Sequence, residues 1–163
     1  MKSEKSLRKR ANDLSIPKFD EIKALVSAAI ADFHKTDQYL LKFHLNERTI
    51  SHRFALYLQQ RLPDWKVDCE YNRNLDEVKT LELPKDGISW DDTEAKTVFP
   101  DIIVHRRGSG PNLLVIEMKK AGLSAHFDHQ KLHAYKSNLS YSYACFIRIR
   151  PGDSGLIEEP EWR

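Results

Sequence analysis

The chain has 163 residues, 40% of them hydrophobic, a mean hydropathy of −0.58 and a formal net charge of +2 from 26 basic and 24 acidic side chains. That is one domain's worth of chain with enough apolar residues for a core, no apolar run approaches the roughly 20 residues needed to span a bilayer, and the near-balanced charge does not announce a nucleic-acid binder. Two cysteines, Cys69 and Cys145, make neither a disulfide framework nor a metal-ligand spacing; both sit in apolar runs, so buried thiols in a reducing, cytoplasmic compartment are expected.

Residues 1–15 form a basic arm with Lys2, Lys5, Arg8, Lys9 and Arg10, suited to a phosphate backbone or to solvent, and no apolar signal-peptide core follows it. Ser15 is a candidate N-cap with Pro17 near the first helical position. Ile22, Leu25, Val26, Ala29, Ile30 and Phe33 then recur at helical spacing and predict an amphipathic helix. The segment from Thr36 to Leu45 fits neither period. A second helix is expected from Asn46 to about Leu62, with Ile50, Phe54, Tyr57, Leu58 and Leu62 as its apolar stripe. Glu47 precedes Ile50 by three residues and Phe54 by seven, so it lies on the inward face. The helix dipole favours an acid in the first turn, but not an inward one.

Alternation from Trp65 to Tyr71 predicts a strand with Val67, Cys69 and Tyr71 on one face. From Asn72 to Ala95 the pattern is weak and acidic, with Asp86, Asp91, Asp92 and Glu94, and reads as a long loop with one candidate short strand, Thr80 to Leu83. Next, Thr97 to Lys120 reads as a β-hairpin: Val98 to His105 and Leu113 to Met118 flank a turn rich in Gly, Ser, Pro and Asn. A turn centred on Ser109 without a bulge sets Asp101 opposite Glu117 on one face, and the pleat points Lys119 the same way and Lys120 the other. Two facing acids repel unless a cation bridges them, and hard oxygen ligands suit Mg2+ or Mn2+. The bland alternative is that Lys119 pairs with Glu117 at a solvated strand end. Basic Arg106 and Arg107 occupy the hairpin tip.

Ser124 to Leu139 reads as a helix with Phe127, Leu132 and Tyr135 apolar. It carries His126, His129 and His133 on roughly one face, a spacing that zinc could use, but no Cys or fourth ligand accompanies them, and a solvated or phosphate-facing surface is the expected role. Tyr141 to Ile149 is the last predicted strand, with Arg148 and Arg150 at its end. Residues 151–163 form an acidic tail with Trp162, expected to pack loosely.

Pro100-Asp101 followed on the next strand by Glu117-Met118-Lys119 resembles the PD-(D/E)XK nuclease signature, and the order of elements is similar to the αβββαβ core of that superfamily. The resemblance covers about Asn46 to Arg150. It implies a single-domain α/β (α+β), restriction-endonuclease-like fold over residues 16–150, with a central mixed sheet flanked by helices. It implies a Mg2+- or Mn2+-dependent nuclease, with Asp101, Glu117, the Met118 carbonyl and Glu47 as metal ligands. Lys119 would stabilise charge on the scissile phosphate, and Gln130 would help position the attacking water. Lys131 and Tyr135 on the following helix, like Gln130, resemble positions that help orient the metal site or hold the substrate backbone, and Arg106, Arg107 and Lys120 would join them on nucleic acid. The expected partner is nucleic acid, DNA first, without strong sequence specificity; small members of the fold often form homodimers, and no membrane is involved. The alternative is a nuclease-like module that holds nucleic acid or a protein without turnover. The intact Asp101, Glu117 and Lys119 weigh against it.

Overall fold

The computed structural model describes residues 15–43, 45–74, 77–85, 93–108 and 110–163. The basic arm expected over residues 1–15 therefore lies almost wholly outside the described residues, as does the turn centre at Ser109. Helix α1 spans Phe19–Asp37, followed by the short α2 at Tyr39–Lys42 and by α3 at Glu47–Arg61. The first helix begins later than Ser15 and Pro17 suggest, because Glu21 caps it: its Oε2 accepts from the Lys18 N–H at 2.8 Å. α3 starts one residue after the expected Asn46, which caps it, its side chain accepting from the Arg48 N–H at 2.8 Å. The apolar stripes of both helices are buried, from Ile22 to Phe33 in one and Ile50 to Leu62 across the end of the other.

The main sheet is mixed and flanked by helices on both faces. Strand β1 (Lys66–Cys69) runs antiparallel to β6 (Ile102–His105), β6 antiparallel to β7 (Asn112–Lys120), and β7 parallel to β8 (Tyr143–Arg150). A parallel pair needs a crossover, and α4 (His126–Leu139) supplies it. Helices α1 and α3 pack against Ile102, Val104, Leu114, Ile116 and Met118 on one face. On the other, α4 meets Ile103, Val115 and Phe146 through Leu132 and Tyr135. Covered on both faces, the two central strands read as nearly unbroken apolar runs.

Three expectations change. The first strand stops at Cys69, because Glu70 takes a φ of 50° and turns the chain. The turn breaks the alternation: Val67 and Cys69 pack on the α1–α3 side, whereas Tyr71 packs on the α4 side, its ring 4.8 Å from that of His105. The expected long loop instead holds two small antiparallel pairs, β2 (Arg73–Asn74) with β3 (Glu77–Val78) and β4 (Thr80–Pro84) with β5 (Thr93–Thr97). Thr80 to Leu83 is thus a strand, as its residues suggest, and Leu81 and Leu83 are buried. The acids Asp86, Asp91 and Asp92 lie outside the described residues. Finally, the acidic tail is docked. Strands β9 (Leu156–Ile157) and β10 (Glu161–Trp162) pair antiparallel with β8, Ile157 is buried, and Trp162 meets Phe19 edge-on at 5.2 Å.

Removing residues 156–163 is expected to lower unfolding stability by about 3 kcal/mol, the worth of one buried Ile and part of a Trp. Urea denaturation of the full and shortened chains measures it, and an unchanged midpoint would mean that the tail is loose after all.

Candidate active site

The hairpin register is the expected one where it matters. Ile102 lies opposite Ile116, Ile103 opposite Val115 and Val104 opposite Leu114; the bulge-free assumption fails only beyond Val104, where the register shifts. One step outward from Ile102 brings Asp101 beside Glu117. Asp101 sits just before β6, and its Oδ2 accepts from the Met118 N–H at 2.7 Å. A side chain thus takes the place of a ladder carbonyl and pins the first acid next to the second.

Glu117 is 1% exposed. Its Oε2 accepts from Lys131 Nζ at 2.7 Å, while its Oε1 is buried without a hydrogen-bond partner. Burial, reinforced by the charge of Asp101, pushes the Glu117 carboxyl well above the usual range, with Lys131 pulling the other way. Burial also raises Asp101, against the Met118 amide and Lys131. The Lys131 ammonium is penalised by burial too, but Glu117 and Asp128 outweigh this and hold it above its ordinary value. Beneath Glu117, the Tyr135 hydroxyl is buried without a hydrogen-bond partner, and burial and the nearby carboxyl raise it as well.

The lysine bonded to Glu117 is therefore Lys131 and not Lys119. Lys119 lies on the same side of β7, but its Nζ is 3.7 Å from Asp128 Oδ2, and Asp128 Oδ1 is 3.3 Å from Lys131. The bland picture of a solvated Glu117–Lys119 pair does not hold. Asp128 was missed from sequence, although the signal was there: it precedes Leu132 by four residues and Tyr135 by seven, the inward face of α4. Phe127, expected on that face, is 50% exposed.

On the opposite side of β7, Lys120 lines a cleft of about 410 Å³ together with Asn46, Glu47, Arg48, Glu70 and Asp101. Glu47 thus opens onto the same space as Asp101, while Glu117 lies behind Asp101 and faces α4. Lys119 and Lys120 do point to opposite faces, yet Lys120 is also a neighbour of the acid site. Arg48 and Glu70 pair at 2.8 Å beside the cleft.

Arg106 and Arg107 are not brought to this end. Arg106 stacks over Trp65 at 4.7 Å, and Arg107 pairs with Asp68, which also bonds His105 Nε2 at 2.8 Å. The hairpin tip lies roughly 20 Å along the strands from Asp101, so these arginines brace the fold at the far end. Gln130 is buried and its Nε2 meets His126 Nε2 at 3.2 Å. His129 contacts Arg163 at 3.2 Å, and His133 lines a surface groove with Lys136, Ser137 and Arg163. Among the described residues, no group of three or more His, Cys, Asp or Glu is placed to hold a metal ion, which covers both the three histidines and the trio of Glu47, Asp101 and Glu117. Two hard-oxygen donors remain together, Asp101 and the orphaned Oε1 of Glu117. Magnesium is commonly bound by one or two carboxylates with water and substrate phosphate completing the shell, so the donors fit such an ion. Compared with known proteins, the chain matches no family model, no curated sequence and no solved structure.

Two outcomes follow for the metal-free protein. Lys131→Met leaves buried acids without their counter-charge and is expected to cost about 3–5 kcal/mol, whereas Lys119→Met is expected to cost no more than about 1 kcal/mol; urea denaturation of both variants checks the assignment. Glu117 binds its proton more tightly folded than unfolded, so its contribution to stability is full below its ordinary value of 4.5 and is lost as pH rises toward its raised value. Glu117→Gln is therefore expected to flatten the fall in melting temperature above pH 4.5 in EDTA. A variant with the same slope as wild type would remove Glu117 as its source.

Proposed function

We propose that this protein is a metal-dependent nuclease that hydrolyses phosphodiester bonds in nucleic acid, DNA first. The observation that carries this reading is the acid pair: a half-buried Asp101, fixed by the Met118 amide, beside a buried Glu117 whose Oε1 has no partner. Asp101 and Glu117 would hold Mg2+ or Mn2+, with the Met118 carbonyl as a further candidate ligand, and Glu47, across the cleft from Asp101, would act on the ion through its water shell. When bound, such an ion lowers the pKa of a coordinated water and neutralises charge growing on the phosphate.

The chain's own residues do the rest. Lys131 orients Glu117 by holding one oxygen, leaving the other for a ligand. Lys119, 30% exposed beside Asp128, is reachable by a substrate phosphate and supplies positive charge where the transition state becomes more negative. Lys120 lines the Asp101 cleft and suits a neighbouring backbone phosphate. No described helix is long and apolar enough to cross a membrane. A homodimer remains part of the proposal, since one site reaches only one strand of a duplex.

One observation favours the second reading, a module that holds nucleic acid without cutting. Each acid already has an internal partner for one oxygen, Met118 N–H for Asp101 and Lys131 for Glu117. Cleavage of plasmid, single-stranded, branched and RNA substrates with and without magnesium separates the two. Asp101→Ala is expected to reduce magnesium-dependent cleavage by about 10²-fold or more while leaving the protein folded. Glu47→Gln is expected to reduce turnover and raise the magnesium requirement, with stability within about 1 kcal/mol of wild type. Wild-type rates in a contaminant-free Asp101→Ala preparation would refute the hydrolytic site, and an unaltered magnesium dependence in Glu47→Gln would remove Glu47 alone.

A further inference from the structure

Three large apolar side chains stand exposed at the acid pair's end of the sheet. Phe99, two residues before Asp101, is 54% exposed; Leu123, in the turn after β7, is 51% exposed; and Phe127, in the first turn of α4, is 50% exposed. Core packing does not account for Phe127, because the inward face of α4 is occupied by Asp128, Leu132 and Tyr135. Its ring instead lies 5.6 Å from Lys131 Nζ, the same ammonium that bonds Glu117 at 2.7 Å. One lysine thus joins an open aromatic face to the carboxylate at the centre of the site.

We propose that Phe127 is a stacking platform for an unpaired nucleobase, with Phe99, exposed just before Asp101, available to a flanking base, so that the site takes single-stranded or frayed segments in preference to continuous duplex. This rests on the reading of the acid pair as a phosphodiester-binding centre. A nucleotide whose phosphate lies at Asp101 and Glu117 carries its base within one sugar of that phosphate, which is the distance scale of the Phe127 ring. In a duplex both faces of a base are already covered, and a base must leave the stack before it meets a side chain. An unpaired base has an open face, and every base offers one, so an aromatic platform selects strand state and not sequence. The neighbouring Lys131 adds a cation to the ring's surroundings, and Lys119 and Lys120 flank the path of the backbone.

The test is binding of a short DNA or RNA single strand carrying 2-aminopurine, against the blunt duplex of the same sequence, with calcium in place of magnesium. Wild type is expected to prefer the single strand and to quench its fluorescence. Phe127→Ala, folded by circular dichroism, is expected to weaken single-strand binding about tenfold, lowering the ratio to duplex affinity and abolishing the quench. Phe127→Trp is expected to restore both. An unchanged ratio in Phe127→Ala and in Phe99→Ala overturns the proposal. So does an unchanged single-strand affinity accompanied by loss of a dimer in sedimentation, which would assign the patch to a second copy of the chain. Quenched single-strand binding without any magnesium-dependent cleavage upholds the platform and refutes the hydrolytic reading. Cleavage indifferent to both Phe variants does the reverse.

Discussion

The contact on which the candidate site depends is the ion pair between Lys131 and Glu117. A half-buried carboxylate just before β6 and a fully buried one on β7 stand beside each other, an arrangement that unaided would cost several kcal/mol. The hairpin cannot relieve it, because the Met118 amide holds Asp101 in place and the pleat holds Glu117 inward. The relief comes from Lys131 of α4, whose neighbour Asp128 is a further inward acid, paired with Lys131 and Lys119. Sheet and crossover helix are therefore joined by electrostatics at one end and by Leu132, Tyr135 and their apolar neighbours along the rest of the interface. Any shift of α4 along β7 would strand three ionisable side chains at once.

That arrangement leaves a chemically uneven pair. Glu117 keeps one oxygen bonded and one bare, whereas Asp101 faces both the α4 side and the cleft where Glu47 and Lys120 lie. Asp101 is thus the one residue common to two polar surroundings, and a ligand entering from the cleft meets it before Glu117. A proton or a cation between the carboxyls would each remove the repulsion.

Much of this was legible from residues with strong local signals. The start of α3 near Asn46, the stripes of α1 and α3, and the pairing of Ile102 with Ile116 follow from short-range rules that tertiary contacts did not override. What escaped was set at longer range. Phase on α4 was misjudged because Phe127 is more apolar than Asp128, yet the buried partner of an ion pair outranks an aromatic ring that has another place to go. Tyr71 changes face because a single left-handed residue, Glu70, resets the alternation, with its N–H donating to the Pro100 carbonyl at 3.0 Å. The strands between residues 73 and 97 and in the tail are two to five residues long, and backbone pairing defines them more than any side-chain period does.

The docked tail has a consequence for how copies of the chain meet. β10 pairs at Cys145 and Phe146 and β9 at Ile149 and Arg150, so the outer side of β8 is covered in two places. At the other margin, β1 is four residues long, carries Lys66 and Asp68, and is turned away by Glu70 directly after Cys69. Short, charged and twisted margins are poor templates for another strand. The margins of the main sheet are thus poor starting points for edge-to-edge growth, and a second copy of the chain finds little ladder there to extend.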